Sequence, residues 1–392
     1  MKNTFLASLM LFMFVFVSCD KSTDEEPIKP DSTKQADITV IDNKVTAFMS
    51  KYSIPGASMA VSKNGKLVYI KGYGVADKST GEKVTPVHKF RIASVSKSYT
   101  GASIIKLAQD GKLSLDEKVF GVNGILGTQY GTVPYNQNLS SMTVRHLLNN
   151  TSGSWGGATG GDVIDYEPSY DTKQFLDWVL NTRPNPTAPG TLYDYSNVGF
   201  WIAGRVIEKV SGKSFINYVK EDLLKSIGAT QTDIAGKLLN DRKSNEVKYY
   251  GQGTDSQYVY NIAFPRRDSD GGLIATSSDL LRFVNAVDGL PTRPDILNSS
   301  SINDFTAAPS FNPQYACGIG IWKEENIWYN YGSLPGTRSG FMRHDNGMCV
   351  ALILNSRVDP AINDLPFIYG MQDLMLDIVK NATYPWQNID QF

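Results

Sequence analysis

Apolar side chains recur at helical spacing at Ile38, Ile41, Val45, Phe48 and Met49, which predicts an amphipathic helix ahead of everything else that folds. Two apolar runs follow, 57–61 and 67–73, joined through Lys63-Asn64-Gly65. Asn-Gly accepts the positive φ angles of a two-residue turn, so this stretch reads as an antiparallel hairpin. From Ser94 the period changes to that of a helix. Ile104, Ile105, Leu107 and Ala108 carry it to Asp110-Gly111, where glycine can cap it. Further helices are predicted at 143–149, 173–180, 198–210 and 215–224. Between them run long loops rich in Gly, Asn, Pro and Tyr, such as 152–170; loops of that length in a compact domain are more often functional than idle.

Strand-like runs return at 316–322, 326–331, 339–344 and 348–354, with Asp345-Asn346-Gly347 as a second hairpin turn. A last helix places Phe367, Met371, Leu374, Met375, Ile378 and Val379 on one face. Helix and hairpin first, helices in the middle, meander and helix last: this order predicts a sheet assembled from both ends of the chain around a helical insertion. The fold class is therefore α+β, an antiparallel β-sheet flanked by helices plus an all-helical region. The expected division is a sheet lobe over about 36–93 and 262–392 and a helical lobe over about 94–261, by these pattern changes.

Composition adds a compartment. Lys2 precedes an almost wholly apolar run, 5–17, too short to span a bilayer and matched to a signal segment. Val17-Ser18-Cys19 follows as a lipobox-like end, so residues 1–18 are expected to be removed and Cys19 lipidated, anchoring the protein in the cell envelope. Residues 19–35 are polar and proline-punctuated, a flexible tether. The chain so processed has 37 basic and 39 acidic residues and no basic stripe, which excludes nucleic acid as an expected partner. Cys317 and Cys349 both lie in apolar runs, and an exported pair could be a disulfide or two buried thiols. His88, His146 and His344 are scattered without metal-ligand spacing, so no metal is implied.

Three segments carry candidate chemistry. In Phe90-Arg91-Ile92-Ala93-Ser94-Val95-Ser96-Lys97, a serine three residues before a lysine puts hydroxyl and amine on one helix face. That pair can activate the hydroxyl as a nucleophile. The spacing alone is cheap, since Ser18 and Lys21 share it inside the export signal, and a serine there can simply cap a helix. In Tyr193-Asp194-Tyr195-Ser196-Asn197, Tyr195 can shuttle a proton and Asn197 can hold a substrate carbonyl; packing and helix capping are the plainer alternatives. In Asn330-Tyr331-Gly332-Ser333, a glycine within a strand marks close approach of a ligand or another backbone. The Ser333 N–H could complete an oxyanion hole with that of Ser94.

Taken together, the chain resembles the serine β-lactamase and penicillin-binding protein superfamily, in the branch of class C β-lactamases, D-alanyl-D-alanine carboxypeptidases and related esterases. The likeness extends over about 36–380. It rests on Ser94-x-x-Lys97, Tyr195-Ser196-Asn197, Arg145-His146-Leu147-Leu148 before Thr151-Ser152-Gly153, and Gly271-Gly272-Leu273 before Thr276-Ser277-Ser278-Asp279-Leu280. The resemblance implies a β-lactamase/transpeptidase-like fold and a serine hydrolase. Ser94 is then the nucleophile, Lys97 and Tyr195 move the proton, and Asn197, Asn330, Gly332 and Ser333 contact a small-molecule or peptide substrate. No cofactor enters that chemistry. A binding lipoprotein of the same fold, without turnover, is the alternative. Two positions depart from the pattern. Asn330 stands where the family carries lysine or histidine, and Asn150 where relatives often carry histidine. Arg338, just past the turn, is the candidate to restore the missing positive charge; a solvated hairpin arginine is the plainer expectation.

Overall fold

A computed structural model describes residues 37–392 apart from Gly160, Gly161 and Pro184. The signal segment, Cys19 and the tether lie outside the described residues. Among the described residues, eleven strands form two sheets. In the larger, β1 (Gly56–Lys63) and β2 (Lys66–Asp77) make the predicted hairpin, and Asn64 and Gly65 take φ of 50° and 74° at its turn. Short β3 (Glu82–Lys83) borders β2. At the other end of the chain come β7 (Tyr315–Ala316), β8 (Ile319–Trp322), β9 (Ile327–Leu334), β10 (Thr337–His344) and β11 (Met348–Leu354). The order β3-β2-β1-β11-β10-β9-β8-β7 joins the two ends of the chain through antiparallel pairing of β1 with β11. The smaller sheet pairs β6 (Leu273–Ala275) with β4 (Phe90–Arg91) and β5 (Asp233–Ile234).

Helix α1 (Thr39–Lys51) buries Ile41, Val45, Phe48 and Met49, as its spacing requires. The middle of the chain supplies α2 (Ser96–Gln109), α3 (Gln137–Ser141), α4 (Val144–Leu148), α5 (Thr172–Thr182), α6 (Asn197–Ser211), α7 (Phe215–Tyr218), α8 (Ser277–Asn285) and α9 (Ser299–Phe305). The last helix, α10 (Leu365–Lys380), buries the six apolar residues read from its pattern. Each such side chain is worth about 1.5–3 kcal/mol on burial, so this face alone holds α10 against the sheet. Two cores result. One gathers α1, α10 and the facing side chains of the large sheet; the other packs the remaining helices against the sheet's opposite face.

The structure departs from the sequence reading at 316–322. That run is two strands broken at Cys317-Gly318, both with positive φ (44° and 88°). A Cβ on Gly318 would stand 2.3 Å from the Lys97 carbonyl oxygen, so the break occurs where the sheet edge presses onto α2. The two cysteines, Cys317 in that break and Cys349 on β11, are free buried thiols, and burial pushes each up to about 12. Among the described residues no three His, Cys, Asp or Glu groups converge as metal ligands, and no helix is long and apolar enough to cross a membrane.

Candidate active site

Ser94 stands in a 3-10 turn, Ala93–Val95, between β4 and α2. Pairing of β4 with β6, together with the Ile92 N–H to Leu273 O bond of 2.9 Å, fixes the chain on entry. Ala93 then takes φ of 46°, an unusual angle for a residue with a Cβ, and one that surrounding structure must enforce. Ser94 is not a cap: α2 has no side-chain N-cap bond, and the Ser94 hydroxyl accepts instead from Lys97 Nζ at 3.3 Å.

Lys97 is fully buried, and its amine has three acceptors: Ser94 Oγ, Asn197 Oδ1 at 2.5 Å and the Asp270 carbonyl oxygen at 2.6 Å. An ammonium has three donors, so the geometry leaves none idle. The same nitrogen lies 4.8 Å from the centre of the Tyr195 ring. Three distant segments thus meet at one nitrogen.

Tyr195 and Asn197 owe their placement to Ser196. Its hydroxyl caps α6 by accepting from Gly199 N at 2.9 Å, and its N–H donates to Asn150 Oδ1 at 3.1 Å. Because Ser196 caps, Asn197 is free to face Lys97. The amide of Asn197 is oriented from behind by Asp162, which accepts from both its Nδ2 and its backbone N–H. Asn150, at φ 54°, also accepts from Asp194 N through its carbonyl at 2.7 Å. This departure from the family pattern therefore braces the tyrosine segment. Tyr193 and Tyr195 both meet Tyr315 of β7 edge to face, with centroids 5.8 and 6.2 Å away.

Strand β9 closes the site. A Cβ on Gly332 would stand 2.1 Å from the Ile92 carbonyl oxygen and 3.0 Å from Ala93 Cβ, so only glycine lets the strand lie against the turn that carries Ser94. Asn330 spends its amide hydrogens on protein: Gly318 O, Ser98 Oγ and Ser94 O lie at 2.7, 3.0 and 3.1 Å. It ties β9 to α2 and brings no charge. The Ser333 hydroxyl points to the other face, where Arg357 donates to it at 2.9 Å.

Arg338 corrects the sequence reading. Thr337 and Ser339 donate to the carbonyls of Arg91 and Ile92, on the Ser94 side of β10. Strand alternation sends the residue between them to the opposite face. There its guanidinium lies 5.4 Å from the Tyr331 ring and burial pushes its pKa down. Arg357 is likewise engaged, by Asp255 at 2.9 and 2.8 Å. Neither replaces the missing cation. A cavity of about 190 Å³ beside Tyr329, Tyr331, Met342 and Gln372 also lies on that far face and holds none of the candidate groups.

Sequence reasoning missed Asp270, Asp162 and Arg267. Asp270 is fully buried next to Arg267, which donates to its carboxylate at 3.2 and 3.1 Å and to Asp165 at 2.8 Å. Burial holds the Asp270 carboxyl up at about 6, against the opposing pull of Arg267 and Lys97. The only signal was the Gly271-Gly272 pair that follows it.

Fold and site define an α+β protein with a Ser–Lys–Tyr–Asn constellation between an antiparallel sheet and a helical region. The family described as Beta-lactamase matches residues 41–368, and the chain belongs to it. A curated relative, Protein flp of Staphylococcus aureus (strain N315), is 27% identical over 332 residues, covering 82% of this chain and 64% of its own. The chain thus spans less than two thirds of that relative's length. A Beta-lactamase of Yersinia enterocolitica is 27% identical over 268 residues, covering 67% of this chain and 63% of its own. Among solved structures, D-amino acid amidase from Ochrobactrum anthropi SV3 shares the fold with a TM-score of 0.70 at 22% identity, covering 88% of this chain and 99% of its own. A Beta-Lactamase/D-Alanine Carboxypeptidase from Pseudomonas syringae gives 0.68 at 19%, covering 88% and 98%.

Proposed function

We propose that this protein is a serine hydrolase that passes through an acyl-Ser94 intermediate on an amide or ester. The observation that carries this reading is the buried Lys97 amine, 3.3 Å from Ser94 Oγ and held in place by Asn197 and the Asp270 carbonyl. In its neutral form that amine takes the hydroxyl proton as Oγ bonds to the substrate carbonyl carbon. The negative charge that develops on the carbonyl oxygen meets the backbone N–H groups of Ser94 and Ser333. Tyr195, beside Lys97, relays the proton to the leaving nitrogen or oxygen as its bond to carbon breaks. Water then adds to the ester carbon, the bond to Oγ breaks, and the proton returns to Ser94. A carboxylic acid and an amine or alcohol are the products.

Within that class, esters and amides with neutral leaving groups suit the site better than β-lactams or carboxylate-terminated peptides. Asn330 stands in place of a cation, and Arg338 and Arg357 are engaged on the far face, so none of the three awaits a leaving-group carboxylate. The Ochrobactrum and Pseudomonas proteins named above span amide and carboxypeptidase chemistry on this fold. A binding protein without turnover is favoured by Asn330 alone. The deciding experiment labels purified protein with a fluorophosphonate and with a fluorescent penicillin, alongside Ser94→Ala. Phosphonate labelling that disappears in the variant, with weak penicillin labelling, is expected. Absence of any Ser94-dependent labelling would overturn the hydrolase reading.

A further inference from the structure

A cavity of about 340 Å³ adjoins the site at the end of β9. Its apolar lining comes from Pro168, Tyr258, Ile262, Ala263, Leu334 and Pro335, and the paired Arg267 and Asp165, with Asn261 and Lys237, form its polar wall. The volume falls in the range of ordinary small-molecule sites. The cavity is preformed, because Arg266 donates to the carbonyls of Tyr166, Glu167 and Tyr170 at 2.6, 2.7 and 2.7 Å and so clamps the loop that carries Asp165 and Pro168.

Gly271 stands between this cavity and the nucleophile. A Cβ built there would meet Ala93 C at 3.7 Å and Arg267 Nε and Leu334 Cδ1 at 3.9 Å, all ordinary contact distances. Its backbone is also outside the left-handed region, so neither strain nor crowding demands glycine. Gly332 and Gly272 are different, with backbone oxygens 2.1 and 2.7 Å from the same built atom. What glycine provides at 271 is open space beside Ala93. The direction of β9 says which part of a substrate uses that space. A carbonyl between Ser94 and Ser333, with its leaving group toward Asn330, puts its acyl portion beside Leu334, the next residue of the strand.

We propose that this cavity receives the acyl side chain of the substrate, with Gly271 as its open gate, and that the protein selects bulky apolar acyl groups. This inference rests on the hydrolase reading and deepens it. Six of the lining residues are apolar, and Arg267 is paired with Asp165 and Asp270, which leaves Lys237 as the one lining charge without an ion-pair partner among the described residues. That positive charge disfavours cationic acyl groups.

The test compares kcat/KM for p-nitrophenyl phenylacetate and p-nitrophenyl acetate, which share a leaving group and differ only in the acyl part. The parent protein is expected to prefer phenylacetate by about tenfold or more, the scale on which an apolar pocket discriminates. Gly271→Val closes the gate, and Ala263→Phe fills the cavity from the wall away from Ser94. Each is expected to lower the phenylacetate-to-acetate ratio by about tenfold. A ratio within about twofold of the parent in both variants, with acetate still turned over, overturns the cavity inference and leaves the hydrolase reading standing. A parent protein that hydrolyses neither ester and shows no Ser94 labelling sinks both. Thermal unfolding of each variant separates a lost ratio from a lost fold.

Discussion

The two faces of the β9–β10 hairpin use the same backbone for opposite ends. Toward Ser94 the hairpin presents Asn330, Gly332, Thr337 and Ser339, whose small size or polar atoms let it touch main chain. Toward α10 it presents Tyr329, Tyr331, Arg338 and Met342, large groups within or against the apolar core that also holds Phe367 and Met371. On the α10 face a change of size is absorbed by side chains. On the Ser94 face it is met by carbonyl oxygens that have nowhere to go. Precision in this molecule therefore sits where the side chains are smallest.

The sharpest way to break that comparison uses one glycine from each face. Gly332→Ala places a methyl 2.1 Å from the Ile92 carbonyl oxygen and 2.5 Å from Ser339 Oγ, so the turn holding Ser94 must move. Displacement of a reacting group by about an ångström costs roughly a hundredfold in rate. Gly340→Ala meets chiefly the Tyr331 ring, at 2.6 Å, and a ring edge can swing aside. Gly332→Ala is expected to lose about a hundredfold in kcat in the folded fraction, whereas Gly340→Ala loses about 1–3 kcal/mol of stability and keeps its turnover. Equal losses of kcat in the two variants would show that the faces are not distinct.

A smaller effect concerns charge buried on the Ser94 side but remote from Ser94. Asp288 follows α8, and its backbone carbonyl accepts from Arg343 of β10. Burial, reinforced by nearby Asp295, holds the Asp288 carboxyl up at about 7, against a donated bond from Leu290 N at 2.7 Å and the pull of Arg343. The native state thus binds this proton more tightly than the unfolded chain. The carboxyl's favourable contribution is complete below about pH 4 and is lost as pH climbs to about 7. Asp288→Asn keeps an oxygen for Leu290 N–H and removes the titration. It is expected to raise the unfolding temperature by a few degrees at pH 8 and to bring no gain at pH 4. Calorimetry at the two pH values checks this, and an equal gain at both would refute the assignment.

Most strands and helices, and the convergence of Ser94, Lys97, Tyr195 and Asn197, were legible in the sequence because each leaves a local mark. Ser94 and Lys97 share a helix face by spacing, Tyr195 and Asn197 bracket a capping serine, and α1 and α10 carry uninterrupted apolar stripes. What was not legible depends on tertiary contact. Asp270 meets Lys97 through a backbone carbonyl, which any residue could supply, so its side chain announced nothing. Asp162 and Arg267 reach the site from loops whose paths no periodicity records. The break at Cys317-Gly318 comes from contact with α2, 220 positions away for the Ser98 hydroxyl that donates to Gly318 O. The face of Arg338 was hidden because Thr337, Arg338, Ser339 and Gly340 are all non-apolar, so the period of two that separates inside from outside had no contrast to show it.

Arg338 supplies the smallest expected effect and the cleanest check on that last point. If position within the hairpin decides function, the arginine six residues past the neutral Asn330–Gly332 segment should contribute nothing to catalysis, despite its charge. Its Nε has no hydrogen-bond partner, and its guanidinium rests against Tyr331 among apolar side chains of the α10 face. A buried, incompletely satisfied cation is replaceable by an apolar group with little loss of stability. Arg338→Leu is therefore expected to leave kcat/KM within about twofold, both for a neutral ester and for an ester whose leaving group carries a carboxylate. A loss of about tenfold confined to the carboxylate-bearing ester would put the guanidinium's field back in the site, through the sheet, and would mean that distance along the strand, rather than the face a residue occupies, governs the charge Ser94 experiences.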